Sequence, residues 1–255
     1  MLRALYVSLA AFAMIFVLGI PLLLYAAITG NTDVLYRVGA YCAGLVLRIA
    51  GVQLEVHGRE KIPLDRAVVF MANHQSNADP PALAAALPPV LFLAKKEAFR
   101  IPVLGRAMRM RGFVPVDRTN RERAARAIDE AAEALRSGRS FLVYPEGTRS
   151  PDGRLQPFRK GVFVMALKAG APIVPVSVSG ATRIMRKGEW AMHSGLIRIT
   201  LQDPVRTDNR SLDDRDQVMQ EVRHAILQGL EKEEWGMEGL SRLQAPSPDA
   251  GKLGA

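Results

Sequence analysis

The hydrophobic pattern divides the chain in two. Residues 4–32 carry no charge and 5–28 are almost wholly apolar, longer than the ~20 residues a helix needs to cross a bilayer. Gly19 and Pro21 within that run predict a kink midway. A second apolar stretch, 34–50, is broken by Arg37 and Arg48, which fall on one helical face about three turns apart. That spacing predicts a helix lying in the membrane interface. From residue 52 the period changes. Alternation over 52–56 predicts a half-buried strand, and the unbroken apolar run 67–72 a fully buried one. Helices near 80–87, 103–110, 121–136, 161–168 and 214–230 then alternate with strands at 90–94, 113–116, 140–144, 173–178 and 196–201. In 121–136, Ala124, Ile128, Ala131 and Leu135 share one face. Pro175 cannot donate to a ladder, so it is expected at a strand edge or bulge.

This alternation predicts an α/β fold, a largely parallel mixed sheet covered by helices and preceded by an N-terminal membrane-associated helical segment. The expected organisation is a membrane-associated segment over 1–50, an α/β domain over 51–235 and a disordered tail over 236–255, where Pro, Ser and Gly cluster.

Composition agrees with a folded chain: 49% of the 255 residues are apolar and 23% charged. A cleaved signal peptide is the rival reading of the N-terminus. Arg3 alone is a thin basic region, and the apolar run exceeds the ~7–15 residues of a signal core. The net charge of +9 is concentrated, since residues 95–126 hold ten Lys/Arg against three acids. Such a segment meets something anionic, although part of it can be a merely solvated face. With little aromatic interleaving and no nucleic-acid-binding motif, lipid headgroups and phosphorylated substrates fit better than nucleic acid. The basic bulk that follows the apolar segment places the domain on the cytoplasmic side of the cell inner membrane. Cys42 is the single cysteine, so no disulfide framework is possible; the four histidines are scattered without metal-ligand spacing. No catalytic metal is expected.

Candidate chemistry lies at the strand ends. Asn73-His74-Gln75-Ser76-Asn77-Ala78-Asp79 follows a buried strand and precedes Pro80-Pro81, which puts His74 at a strand-to-helix junction facing a cleft. Asp79 has two readings. It can cap the next helix, or it can hold His74 in one tautomer as a general base. Tyr144-Pro145-Glu146-Gly147-Thr148-Arg149-Ser150 follows another buried strand. There Gly147 permits close backbone approach, Thr148 and Ser150 offer hydroxyls, and Arg149 offers a planar fork for phosphate oxygens. Arg159 and Lys160 bring two more cations to the start of a helix whose N-terminus favours anions. Arg118, after the short strand 113–116, can touch a phosphate or pair with Asp117.

In order and spacing, Asn73-His74-x4-Asp79, Gly112-x4-Asp117-Arg118, Pro145-Glu146-Gly147-Thr148-Arg149-Ser150 and Val174-Pro175-Val176 resemble the motif blocks of the glycerolipid acyltransferases. Within that family the chain looks most like the bacterial lysophosphatidic acid acyltransferases. The resemblance covers residues 51–201 and the apolar N-terminus. Pro115 and Tyr144 depart from the usual pattern, Tyr144 standing where phenylalanine is commoner, and neither is expected to touch the chemistry. The resemblance implies that His74 is the base and Asp79 orients it. It implies that Glu146, Gly147, Thr148 and Arg149 hold the glycerol phosphate, with Arg118 assisting. The implied substrates are a lysophospholipid and an acyl thioester, acyl-CoA or acyl carrier protein, met at the membrane without a further cofactor or nucleic acid. The absence of a Gly-x-Ser-x-Gly elbow and of a usable cysteine favours direct transfer. Another acceptor (glycerol-3-phosphate, a lyso-ornithine lipid or another lysophospholipid), thioester hydrolysis and a non-catalytic lipid-binding role are the alternatives.

Overall fold

The structure is a computed structural model that describes residues 2–234; the tail expected over 236–255 lies outside the described residues. In chain order the α-helices are α1 (Leu2–Ala13), α2 (Gly19–Thr29), α3 (Asp33–Ile49), α4 (Asp79–Ala86), α5 (Leu104–Arg111), α6 (Arg121–Arg136), α7 (Gly161–Ala169), α8 (Ala181–Ile184) and α9 (Arg215–Gln228). The strands are β1 (Val52–His57), β2 (Val69–Ala72), β3 (Leu91–Lys95), β4 (Val114–Val116), β5 (Phe141–Val143), β6 (Ile173–Ser179) and β7 (Gly195–Leu201).

The strands form one sheet in the order β1-β7-β6-β2-β5-β3-β4. Every pair is parallel except β6 and β7, which run antiparallel. The sheet is therefore mixed and largely parallel, with helices on both faces. Alternation along the strands sorts side chains between the two layers. Phe70, Ala72, Leu142, Val174 and Val176 pack with α4 residues Ala82, Leu83 and Ala86. Val69, Met71, Phe141, Val143 and Ile173 pack with Ala131 and Leu135 of α6, Phe163 of α7 and Val222 of α9. α6 begins where the Asn120 side chain accepts the Arg123 N–H at 2.9 Å, and it buries Ala127, Ala131, Ala132 and Leu135. Ala124 and Ile128 of the expected stripe are only half-buried, so the buried face is rotated slightly from the one the apolar count gives.

Pro175 departs from expectation. It sits inside β6, an interior strand, opposite Met71 of β2. Its carbonyl accepts the Gln202 N–H at 2.9 Å, just past the end of β7, so its missing N–H faces a place where that ladder has already stopped.

The first apolar run is one helical stretch over Leu5–Thr29, long and apolar enough to cross a membrane, with large side chains such as Phe12, Leu24 and Ile28 exposed. A π-helical segment, Met14–Leu18, interrupts it one turn before Pro21. The cause is local: the proline ring crowds the carbonyl four residues back and gives it no N–H, and a wider turn absorbs both. α3 is amphipathic, as its sequence suggests, but it is not confined to the interface. Tyr36, Leu47 and the following Ala50 join the α4 side of the core.

Candidate active site

The parallel strands β2, β5 and β6 lie side by side, so their C-terminal ends open at one edge of the sheet. His74 stands two residues past β2. Its ring Nδ1 lies 2.8 Å from Asp79 Oδ2, and its Nε2 has no hydrogen-bond partner among the described residues. Asp79 is fully buried, and the same Oδ2 accepts the N–H groups of Gln75 at 2.7 Å and Ser76 at 2.8 Å. The carboxylate thus ties ring and loop together. It does not cap α4: Pro80 and Pro81 have no N–H to offer, and the Ala82 N–H goes to the Ala78 carbonyl at 3.1 Å. That leaves orientation of His74 as the role its contacts describe.

The loop between β2 and α4 is fastened on every side. The Asn73 amide exchanges two hydrogen bonds with the Val178 backbone of β6, donating at 2.8 Å and accepting at 2.7 Å. Gln75 Nε2 donates to the Gly153 carbonyl at 2.9 Å, and the Ser76 hydroxyl to the Met185 carbonyl at 2.7 Å. All three side chains are buried, so these bonds remove the cost of burying polar groups and fix the loop.

The 144–150 loop grips the backbone of His74 from both ends. Glu146 Oε1 accepts the His74 N–H at 2.6 Å, and the Ser150 N–H donates to the His74 carbonyl at 2.8 Å. Glu146 Oε2 accepts the Gln156 N–H at 3.0 Å, and Arg223 of α9 in turn holds the Gln156 carbonyl at 2.9 Å. Glu146 is buried, and burial pushes its carboxyl up to about 8, against the two N–H donors that favour the anion. Both Glu146 oxygens accept backbone N–H groups, so here the residue is tied to the His74 and Gln156 backbone.

Beneath the imidazole lies Tyr144, stacked on it with ring centroids 3.9 Å apart and planes 15° apart. Its hydroxyl is buried without a partner among the described residues, and burial pushes its pKa up, with the nearby Asp79 adding to the effect. Tyr144, a departure from the family pattern not expected at the site, lies against the His74 ring. Parity puts His74 on the face of Phe70 and Ala72, and Tyr144 on that of Leu142, but only the register that pairs Phe70 with Leu142 brings the two rings together.

The candidate phosphate ligands fall into two groups. Gly147 has φ +72° and a Cβ there would lie 3.2 Å from Arg159 Cγ, so the Arg159 side chain crosses directly over this turn. Arg118 lies close enough to Arg159 for the like charge to lower its pKa further, on top of partial desolvation, with Glu97 opposing. Asp117 does not pair with Arg118: its carboxylate takes Lys96 at 2.8 Å, Arg123 at 3.4 Å and the Thr119 hydroxyl at 2.7 Å, and these hold it well below the usual carboxylate range. Thr148 is exposed beside Arg149, whose Nη1 is buried with no partner among the described residues. Gly147, Thr148 and Arg149 follow β5 at the strand edge that carries His74, with Arg159 crossing Gly147 and Arg118 near Arg159. Lys160 stands apart, its ammonium 3.3 Å from Asp216 at the start of α9.

Comparison with known proteins agrees with this arrangement. The family model Acyltransferase matches residues 53–179. A 1-acyl-sn-glycerol-3-phosphate acyltransferase of Limnanthes alba is 30% identical over 195 residues, covering 75% of this chain and 68% of that protein. The crystal structure of the 1-acyl-sn-glycerophosphate (LPA) acyltransferase PlsC from Thermotoga maritima superposes with a TM-score of 0.77 at 30% identity, covering 89% of this chain and 94% of that one. The chain belongs to the 1-acyl-sn-glycerol-3-phosphate acyltransferase family. The chloroplastic acyltransferase BAT2 of Brassica napus is 37% identical over 153 residues, 59% of this chain, but the match spans only 44% of its length. Within the acyltransferase match fall His74, Asp79, Arg118, Tyr144 and the whole 146–150 loop; α3 lies before it. Ahead of the match, the helix over Leu5–Thr29 is long and apolar enough to cross a membrane.

Proposed function

We propose that the protein transfers an acyl chain from a thioester, acyl-CoA or acyl carrier protein, to the sn-2 hydroxyl of lysophosphatidate, giving phosphatidate. One observation carries the reading: a histidine whose Nδ1 is held by a buried carboxylate at 2.8 Å leaves Nε2 available to a substrate hydroxyl. The hydroxyl gives its proton to Nε2 as its oxygen attacks the thioester carbon. The C–S bond then breaks, and the leaving thiolate takes the proton back from His74. No covalent enzyme intermediate and no metal or other cofactor is needed for this balance. Arg149, Arg159 and Arg118, with the Gly147 backbone and the Thr148 hydroxyl, would hold the acceptor phosphate, and a charge-assisted contact of this kind is strong in a partly buried site. Membrane association and the net charge of +9 support action at the cytoplasmic face of the cell inner membrane, where both the lysolipid and thioester donors are met.

The test is transfer of labelled oleoyl from oleoyl-CoA to a panel of lysolipids and glycerol-3-phosphate, comparing wild type with His74→Ala. A positioned base contributes ~10²–10⁴ in rate, so the variant should lose at least that factor while its melting is unchanged. Near-normal transfer by His74→Ala would overturn the mechanism. Release of free oleate without any acceptor would identify a hydrolase instead.

A further inference from the structure

α3 and α4 cross where Gly44 faces Ala85; a Cβ on Gly44 would come within 3.2 Å of the Ala85 side chain. Small residues at this seam bring the backbones together and leave space beside it. The result is an open groove of about 360 Å³, with Ala84 and Ala85 in its floor and Arg37, Tyr41, Leu45 and Arg48 along its α3 wall. Arg37, Tyr41 and Arg48 follow a spacing of four and then seven residues, so they form one stripe about 16 Å long. Tyr41 is 69% exposed, an aromatic ring of the kind that sits at a membrane surface. Both arginines are exposed and have no ion-pair partner among the described residues. The acid of α3, Asp33, is already taken by Arg111 at 3.1 Å.

The groove adjoins the apolar N-terminal helices but stands clear of the His74 site. α3 packs beside α1 and α2, whose exposed apolar side chains suit a bilayer. No residue of the 73–79 or 144–150 loops lines the groove; α4 separates them, with Asp79 at its first turn and Ala84 and Ala85 at its last. An apolar floor with a cation at each end and a tyrosine between them fits the glycerol and headgroup region of an amphiphile carrying negative charge.

We propose that the α3–α4 groove is a binding site for an anionic membrane phospholipid, with Arg37 and Arg48 engaging headgroup phosphate at its ends and Tyr41 and Leu45 packing on the glycerol and upper acyl chain. This site is distinct from the one that would hold an acceptor, and it stands whether or not the acceptor is lysophosphatidate.

The full-length protein in a neutral detergent can be titrated with short-chain phosphatidylglycerol, short-chain phosphatidylcholine or inorganic phosphate, and bound lipid counted by native mass spectrometry. Phosphatidylglycerol should be retained in preference to phosphatidylcholine. A basic residue at an anionic surface is worth roughly fivefold, so Arg37→Ala with Arg48→Ala should weaken phosphatidylglycerol binding about 30-fold. The size-preserving pair Arg37→Gln with Arg48→Gln should lose as much, which separates lost charge from lost packing. The control pair Arg126→Ala with Arg136→Ala lies on α6, across the sheet, and should change nothing. Equal binding of the two lipids, an equal loss in the α6 pair, full competition by inorganic phosphate at equal concentration, or retained selectivity in the glutamine pair would each overturn the proposal.

Discussion

The Tyr144 ring lies flat beneath the His74 imidazole, centroids 3.9 Å apart. Stacking fixes the ring plane that the 2.8 Å bond to Asp79 alone would leave free to rock. Tyr144→Phe should keep the stack and remove a buried hydroxyl without a partner among the described residues. Because such a group costs ~1–3 kcal/mol, the phenylalanine variant should melt a few degrees higher with transfer unchanged. Tyr144→Ala should lower kcat more than it raises KM if His74 acts as proposed, since the His74 ring, and not the acceptor, loses its support. Parallel melts and steady-state kinetics on the two variants decide this.

Glu146 makes stability depend on pH in a direction opposite to an ordinary paired carboxylate. Folded, it keeps its proton up to about pH 8; unfolded, it releases it near ~4.3. Between those values the native state binds more protons than the unfolded one, so its contribution falls as pH rises, and the fall levels off above about pH 8. Glu146→Gln cannot ionise and should melt with a flatter profile between pH 5 and 8. Its transfer rate should also drop, because the amide can accept only one of the two N–H groups that the carboxyl now accepts. Melting temperatures of both proteins at pH 5, 7 and 8.5 give the comparison; parallel profiles would show that Glu146 does not titrate in this window.

Arg149 carries a buried Nη1 with no partner among the described residues, and the proposed function gives it the acceptor phosphate. Arg149→Ala should cost ~1.5–3 kcal/mol with a phosphorylated acceptor, ten- to a hundredfold in kcat/KM. Arg149→Lys should restore only part of it, since a point charge cannot reproduce the planar fork. Kinetics with acceptor varied at saturating thioester measure both, and an unchanged acceptor dependence in the alanine variant would remove Arg149 from the site.

Truncation should show where the folded unit begins. Leu47 and Ala50 pack in the same core as Leu83 and Ile197. A chain starting at residue 51 loses that cover and should aggregate or melt well below the parent, at about 25 cal/mol for each Å² of apolar surface uncovered. A chain starting at residue 33 keeps α3 and should retain a cooperative melt with weaker vesicle binding. Circular dichroism and vesicle sedimentation at high salt distinguish them. A cooperative melt of the 51-start chain matching that of the 33-start chain would show that α3 contributes nothing to the fold.

The elements of this fold are written locally, and so the sequence carries them well. α6 runs over Arg121–Arg136 as its period demands, and the buried runs become β2 and β5. Partner choice is not local. Nothing in residues 140–144 says that their strand lies against β2, so the stacking of Tyr144 on His74 and the grip of Glu146 on the His74 N–H appear only when the two strands are side by side. Nor does a polar residue in a glycine-containing loop, such as Glu146, give any sign of which way it faces. α3 shows the complementary limit, because a helix with one apolar face looks alike whether that face meets lipid or protein.

Glu146 Oε1 accepts the His74 N–H and the Ser150 N–H donates to the His74 carbonyl, so the 146–150 loop is fastened to the His74 backbone at both ends. Arg149 belongs to that loop, so under the proposed function the distance from a bound phosphate to Nε2 follows from one backbone bond and one Glu146 side-chain bond. Such a site works as a calliper. An acceptor is accepted when the span from its phosphate to its free hydroxyl matches the jaws, and a lengthened or shortened analogue should fail in turnover even while it still binds.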